Sequence, residues 1–505
     1  MTGGGRRAVT IRHEVTGTLE TVTALRVAGW GPSTGADLAV IRDGLGRAVI
    51  PGTSLAGAMR AWLGTVTGPD GQPLFRPADL GRVFGDLTPG SQDGELCLIR
   101  VDDAVAAGPV EVAVRDGVGI DRGTGSAAAG LLYQHEVIPP GTRFAMRITA
   151  SVLPGDPERV GDALTLIVAA LADEQVEVGA ARTRGLGVVK LTGVRHQRAD
   201  LADRASLTAF LCGRLPDVPV AAPDPGDQRQ LPGTRLDVEI AWSAASPVMV
   251  RAGAAGEPEP GREHPPDVVP LRTVTGQDGE TRLLLPGSSI KGVLRSHGER
   301  IMRTLLRLDD LPEDWLDQVG DERLRPVITL FGAAGDHAAR GRRAGRSAPD
   351  PAAPRRRGRR GALSVRDCHA AAADERVVTH VAVDRWTGGA AENLLFAVRE
   401  PASAQWEPMR LSLDVRRSRG GPGGDSLALV LFLLILRDLA DGWLAFGFGG
   451  TRGRGTVRVS DIRFSGSGLA APWGELAGKT LAEVIEAPPA AVTRALAAWQ
   501  EEMRG

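Results

Sequence analysis

The sequence predicts an α+β protein built from two tandem copies of one ferredoxin-like module. Two observations predict it. Four stretches recur in the same order along the 505-residue chain. Each copy also reads as strand, helix, strands, helix, strand, the element order of ferredoxin-like and RNA-recognition-motif-like domains.

The first pair is "VIPGTSLAGAMRAWL" from Val49 and "LLPGSSIKGVLRSHG" from Leu284. "VFGD" from Val83 is answered by "LFGA" from Leu330, and "GVGIDRGTGSAAAGLLY" from Gly117 by "HVAVDRWTGGAAENLLF" from His380. "ARTRGLGVVKL" from Ala181 is answered by "GGTRGRGTVRV" from Gly449. The offset grows from 235 to 247, 263 and 268, so the second copy gains insertions while order is kept.

Each copy opens on an alternating strand: Val9, Ile11, His13 and Val15, then Leu236, Val238, Ile240 and Trp242. A Gly- and Pro-rich loop follows, then the Pro-Gly phrase, whose hydroxyls are expected to cap the next helix. In that helix Leu55, Met59 and Trp62, or Ile290, Leu294 and His297, share a face. Strands carrying Asp-Arg-x-Thr-Gly come next. An apolar helix (Leu164 to Leu171; Leu427 to Leu436) leads into the glycine-rich turn and a last strand. This places a first domain at 1–195 and a second at 234–465. A helix near Leu201–Leu211 and a proline-rich linker fill 196–233. An arginine-rich insertion spans 339–361, with nine arginines, and is expected to be disordered when free. A tail over 466–505 ends in an amphipathic helix, Ala490–Met503.

Composition excludes several classes. Net charge is −1, so no global excess announces a polyanion partner, although local patches decide binding. Arginine supplies nearly all positive charge, since the lysines are only Lys190, Lys291 and Lys479. Cys97, Cys212 and Cys368 are scattered and form no CxxC, which excludes a common zinc module and a disulfide framework. Cys368 and His369 lack ligand partners at metal spacing, so no zinc is expected. The apolar run from Leu427 is too short to span a bilayer, so no membrane partner and a cytoplasmic location are expected. "GELAGKT" from Gly474 has three residues where a phosphate-binding P-loop needs four, so nucleotide hydrolysis is rejected.

The turns "TRGLG" and "TRGRG" can bring backbone N–H groups near an anion, with Arg184 or Arg452 adding charge-assisted contacts. An ordinary tight turn would use the same glycines.

Together, the Pro-Gly phrases, the Asp-Arg-x-Thr-Gly elements and the terminal TRGxG resemble the RAMP superfamily of CRISPR-associated proteins. The likeness is to fused backbone subunits of type III effector complexes, and covers roughly 8–195 and 234–465. It implies RAMP domains with thumb-like hairpin insertions that line up along a guide RNA and meet complementary target RNA and other effector subunits. It also implies RNA contacts at Ser54, Arg60, Arg184, Gly185, Gly187, Ser289, Lys291, Arg295, Arg452, Gly453 and Gly455. The thumb elements Asp121, Arg122 and Thr124, and Asp384, Arg385 and Thr387, are expected at the RNA surface; the alternative is an Asp–Arg pair that closes a turn.

The resemblance further implies target cleavage at an aspartate before the Pro-Gly phrase, here Asp37, with Asp267 as the second-copy candidate. Asp37 lies 14 residues before Pro51, but Asp267 lies 19 before Pro286, and Asp278 and Glu280 are nearer. RNA supplies its own 2′-hydroxyl nucleophile, so the protein need only fix geometry, assist proton transfer and stabilise charge. A carboxylate could act as base or hold Mg²⁺. The expected activity is that of an RNA-guided, metal-dependent endoribonuclease. Rival readings are an inert guide-RNA scaffold, a guide-processing endoribonuclease using His13 or His135, and an RNA-binding protein outside CRISPR systems. The last lacks the aromatic-rich sheet motifs it should show, with one tyrosine and ten phenylalanines in the chain.

Overall fold

The computed structural model describes residues 9–29, 36–68, 72–86, 97–154, 157–219, 235–253, 265–275, 279–335, 358–371, 374–418 and 424–502. Most of the expected linker (220–233) and of the arginine-rich insertion (339–357) lie outside them.

Two sheets are built to one plan. In the first module the opening strand Ile11–Thr21 lies between Arg143–Val152 and Val189–Asp200, antiparallel to both. Ile99–Val101 and Ala104–Ala106 pair on the far side of Arg143–Val152. In the second, Arg235–Ala244 lies between Met409–Asp414 and Val457–Ser465, with Leu363–Val365 beyond. Counting each module's principal strands along the chain, the spatial order is fourth, first, third, second. In both modules the first strand's register slips once against the last, a β-bulge that sharpens local twist.

Alternation along the central strands turns Val15 and Leu19, and Leu236, Val238 and Ile240, into the core. Helices close that face. Gly52–Leu63 and Pro157–Ala172 cover the first sheet; Gly287–Leu305 and Gly424–Ala440 cover the second. Leu55, Met59 and Leu63 repeat every four residues and are fully buried. Each such side chain contributes roughly 1.5–3 kcal/mol through removal from water.

Gly424–Ala440 is apolar all round over Leu427–Leu436, where none of its residues is exposed. The sheet, Arg325–Phe331 and the C-terminal helix Ala490–Glu502 all pack on it. Trp473, Leu481, Val492 and Trp499 belong to the same cluster as Phe432 and Leu436, so the tail completes the second core. Within the P-loop-like stretch, Thr480 accepts the Glu483 N–H and caps a short helix, Leu481–Glu486. Among the described residues no helix is long and apolar enough to cross a membrane.

Each module projects a two-stranded arm outside its main sheet. Arm one pairs Ala113–Ile120 with Ala127–Val137, and arm two pairs Asp374–Val383 with Ala390–Ser403. Both tips carry Asp-Arg-x-Thr.

Candidate nucleic-acid interface

The Pro-Gly phrase is a packing corner. Gly52 approaches the neighbouring strand so closely that a Cβ would sit 2.1 Å from the Val101 carbonyl oxygen; at Gly287 the same atom would sit 2.2 Å from that of Val365. The following Asp closes the corner. Asp103 accepts the Gly52 N–H at 2.7 Å, and Asp367 accepts the Gly287 N–H at 2.8 Å. The expected hydroxyl caps are therefore corrected: prolines occupy both N-cap positions, and the orphan N–H is satisfied across the fold. A fifth collinear match, Val-x-Asp at 101–103 and 365–367, carried this signal in the sequence.

Several residues expected on RNA are held inside. Arg60 donates to the Gly85 carbonyl and Arg295 to the Gly332 carbonyl, both at 2.9 Å, so the two arginines lock helix to turn in the same way. Arg295 also pairs with Glu299 at 2.6 Å, with 14% of its side chain exposed. Lys291 is buried, its Nζ donating to the Leu363 carbonyl at 2.6 Å. Burial first, then the charges of Arg184, Arg295 and Arg360, hold its ammonium well below the usual lysine range. Lys291 and Arg295 thus direct these donors into the fold, where helix and sheet lie in close contact. Ser54 and Ser289 are half-buried beside them.

The glycine-rich turns differ in exposure. Gly185, Gly187, Gly453 and Gly455 all take φ between 74° and 94°, the left-handed region. The second glycine of each is a close-packing device whose N–H is already bound, Gly187 to the Ala24 carbonyl and Gly455 to that of Pro247. The first glycines diverge. A Cβ on Gly185 would strike the second module at the Val365 oxygen (2.7 Å), whereas one on Gly453 would meet nothing within 4 Å. Arg184 donates to the Tyr133 hydroxyl at 3.0 Å, and Arg452 lies over the Phe396 ring at 5.5 Å. In both copies the turn's exposed arginine is thus tied to an aromatic at the root of the arm.

The arm tips share a turn and differ in surroundings. Asp121 accepts the N–H groups of Gly123 and Thr124 and the Thr124 hydroxyl; Asp384 accepts those of Trp386 and Thr387 and the Thr387 hydroxyl. These bonds, the threonine backbone N–H foremost, hold both carboxyls below the usual range. The aspartate closes the turn through backbone, not through its arginine. Arg122 instead reaches the second module, pairing with Glu299 at 2.5 Å, while Gln318 bonds Asp121 and the Arg122 N–H. Trp315 adds a bond to the Ile120 carbonyl. Arm two ends in solvent, with Trp386 at 95% exposure.

The two aspartates occupy one structural position. Asp37 accepts the Gln134 N–H at 2.8 Å, and Asp267 accepts the Ala397 N–H at 2.7 Å. Beside them Leu38 bridges His135 and Val268 bridges Val398, both parallel, and both pairs carry the arm offset of 263. The unequal spacing to the Pro-Gly phrase arises because one hairpin differs in length: Arg42 bridges Ala48 in the first copy, where Arg272–Thr275 pairs with Glu280–Leu285 in the second. Both carboxylates are exposed, and each has one oxygen accepting no hydrogen bond among the described residues. Their surroundings differ: Gln134 also bonds Asp116 at 3.0 Å, where the second copy has Ala397 and Thr379.

Two further groups sit apart from this surface. Cys368 is buried with its thiol pushed up to about 12, chiefly by burial, and donates to the Glu407 carbonyl. His13 lies in the sheet with Nδ1 3.0 Å from His196 Nε2.

The model of the RAMP superfamily matches residues 18–190 and 244–458. The chain belongs to the RAMP superfamily. Each matched segment of this RAMP protein runs from the end of one module's first strand to the start of its last and takes in both helices and the arm, so the duplication is a duplication of the family domain. The chain is also similar to the CRISPR system Cms endoribonuclease Csm3 of Mycobacterium tuberculosis (strain ATCC 25618 / H37Rv). The two are 30% identical over 213 residues, which is 37% of this RAMP chain and 89% of that relative.

Proposed function

We propose that this chain is a guide-RNA-binding backbone subunit of a type III-like CRISPR ribonucleoprotein, and that it cleaves complementary target RNA beside Asp37 and Asp267. The likeness to a CRISPR-system endoribonuclease supports the class. The observation that carries the cleavage reading is the shared hold on the two aspartates, each exposed and pinned by an arm backbone N–H.

In this reading each module is a ferredoxin-like domain, supported by its strand order, and each arm is a thumb. Guide RNA runs past Arg184 and the open Arg452–Gly453 turn, where guanidinium and bare backbone suit phosphate. One free carboxylate oxygen at each aspartate fits Mg²⁺, which takes few protein ligands and completes its shell with water and phosphate. When bound, the ion would stabilise charge on the scissile phosphate. The aspartate's own part is to hold that ion or accept the 2′-hydroxyl proton.

Another subunit of the complex takes arm two. Arm one already seats its Asp-Arg tip on Glu299 and Gln318, whereas the same tip of arm two meets no other element among the described residues. A second copy of this chain offers no equal seat, since Gly64 stands where Glu299 would be. Guide processing by histidine is disfavoured, because burial holds the imidazoles of His13 and His135 down at about 4.

The test is assembly with guide and neighbouring subunits, followed by mapping of cuts in a labelled complementary RNA with Mg²⁺. Loss of one distinct cut each in Asp37→Ala and Asp267→Ala supports the reading. Unchanged cutting in the double variant, or none by the wild type, leaves a guide-holding scaffold.

A further inference from the structure

The helix Gly287–Leu305 has 19 residues where its first-module counterpart Gly52–Leu63 has 12. The extension carries Arg300 and Arg303, three apart on one helical face, and the turn that follows carries Arg307. That face forms one wall of a groove of about 940 Å³. Arg122 from the tip of arm one and Trp443 from the turn after the apolar helix also line it. Trp443 is 73% exposed.

Not all of these charges are spent. Arg122 is matched by Glu299 at 2.5 Å and Arg303 by Asp321 at 2.9 Å. Arg300 meets no carboxylate among the described residues. Its guanidinium donates to His297 Nδ1 at 2.6 Å, while His297 Nε2 lies 2.5 Å from Asp438. Arg300 thus reaches a carboxylate only through the His297 ring, with no direct ion pair among the described residues. Arg307 makes no ion pair among the described residues and sits at φ 51°, a conformation that bulky residues rarely hold. Asp309 is the groove's one carboxylate outside these pairs.

We propose that this groove is a second nucleic-acid site, taking one or two nucleotides of single-stranded RNA with a base on Trp443 and phosphate between Arg300 and Arg307. An exposed indole facing unspent guanidiniums is the combination that binds single strands, since every base has a face to stack and every linkage a charge. The site also adjoins the interface already described. Ala445 lines the groove, and a Cβ on Gly450, at the start of the open second turn, would lie 3.5 Å from the Ala445 Cβ. Nothing in the first module corresponds, because its helix stops before these arginines and Gln175 stands at the place of Trp443. The inference rests on the reading that the chain binds RNA.

The experiment is fluorescence anisotropy of the full chain with a labelled ten-nucleotide oligoadenylate across a salt series. It compares wild type, Trp443→Ala, Trp443→Phe, the pair Arg300→Gln/Arg307→Gln, and the pair Arg184→Gln/Arg452→Gln. All altered side chains are solvent-exposed, and thermal melts check the fold. Trp443→Ala and the Arg300/Arg307 pair should each weaken binding about tenfold, with Trp443→Phe near wild type. The Arg300/Arg307 pair should also flatten the slope of log affinity against log salt by about 1.4, the value for two single-strand phosphates. Wild-type binding in those groove variants, with weakening in the Arg184/Arg452 pair, overturns the groove and keeps the RNA reading. No binding by the wild type overturns both.

Discussion

Arg115 of arm one and Asp367 of the second module meet at 2.7 Å, with 6% and 2% of their side chains exposed. The same Asp367 accepts the Gly287 N–H, so one carboxylate joins the two modules and closes the second Pro-Gly corner. The first-module equivalent, Asp103, closes its corner without such a partner among the described residues.

Asp367→Ala should therefore cost much more than Asp103→Ala. Removing Asp367 leaves a buried guanidinium uncompensated, worth about 3–5 kcal/mol. Removing Asp103 strands one helix N–H, worth about 1–3 kcal/mol. Denaturant melts of the two variants measure the difference directly; equal losses would mean the Arg115 pair contributes nothing.

Glycine substitutions should split by position within one helix. Gly52→Ala must drive a methyl into the Val101 carbonyl and should destabilise by more than about 3 kcal/mol, as a forced backbone shift in a packed core does. Gly57→Ala, in the same helix, meets nothing within 4 Å and should stabilise by about 0.5–1 kcal/mol. Thermal melts of the two variants test the pair.

Asp37→Asn and Asp267→Asn should each remove one target cut by at least about 100-fold in the assembled complex. The amide oxygen can still accept the arm's N–H, so melting temperatures should stay near wild type. Cutting that survives both changes would show that these carboxylates do no chemistry.

Acidification should destabilise the first sheet. Burial, then the charges of His196 and Arg198, lowers His13 to about 4 from an ordinary 6.5, so between those values the unfolded chain binds the extra proton. The stability is present above pH 6.5 and is lost as pH falls toward 4. His13→Phe should flatten the fall in melting temperature over that window, while an unchanged profile would assign the acid sensitivity elsewhere.

Arg122→Ala and Arg385→Ala should separate the arms. The first loses one of two pairs on buried Glu299, which Arg295 still meets, and should lower stability by about 1.5–3 kcal/mol. The second alters an exposed tip and should leave the melt within about 0.5 kcal/mol while weakening assembly with a neighbouring subunit. Pull-down with the assembled complex reads the second effect.

The strand–helix order and the apolar helix around Leu427–Leu436 were legible because burial imposes periodicity and the duplication wrote each constraint twice. Arg60 and Arg295 show what repetition leaves open. They recur because both brace a glycine carbonyl, and recurrence looks alike whether packing or ligand demands it. The unequal spacing of Asp37 and Asp267 from their Pro-Gly phrases hid their equivalence, which is set by pairing with the arm strand rather than by distance along the chain.

The sequence by itself determined that there are two copies of one module, what elements each contains and which chemical groups each could present. Local propensity, hydrophobic period and glycine chemistry are properties of short stretches, so they can be read without coordinates. Only the tertiary structure decided which copy's groups face solvent. The Asp-Arg pair of arm one and Gly185 contact the second module, while the tip of arm two and Gly453 are open, and Lys291 is drawn inside. Those differences arise where residues hundreds of positions apart meet, and no local pattern encodes which of two near-identical surfaces will find the other.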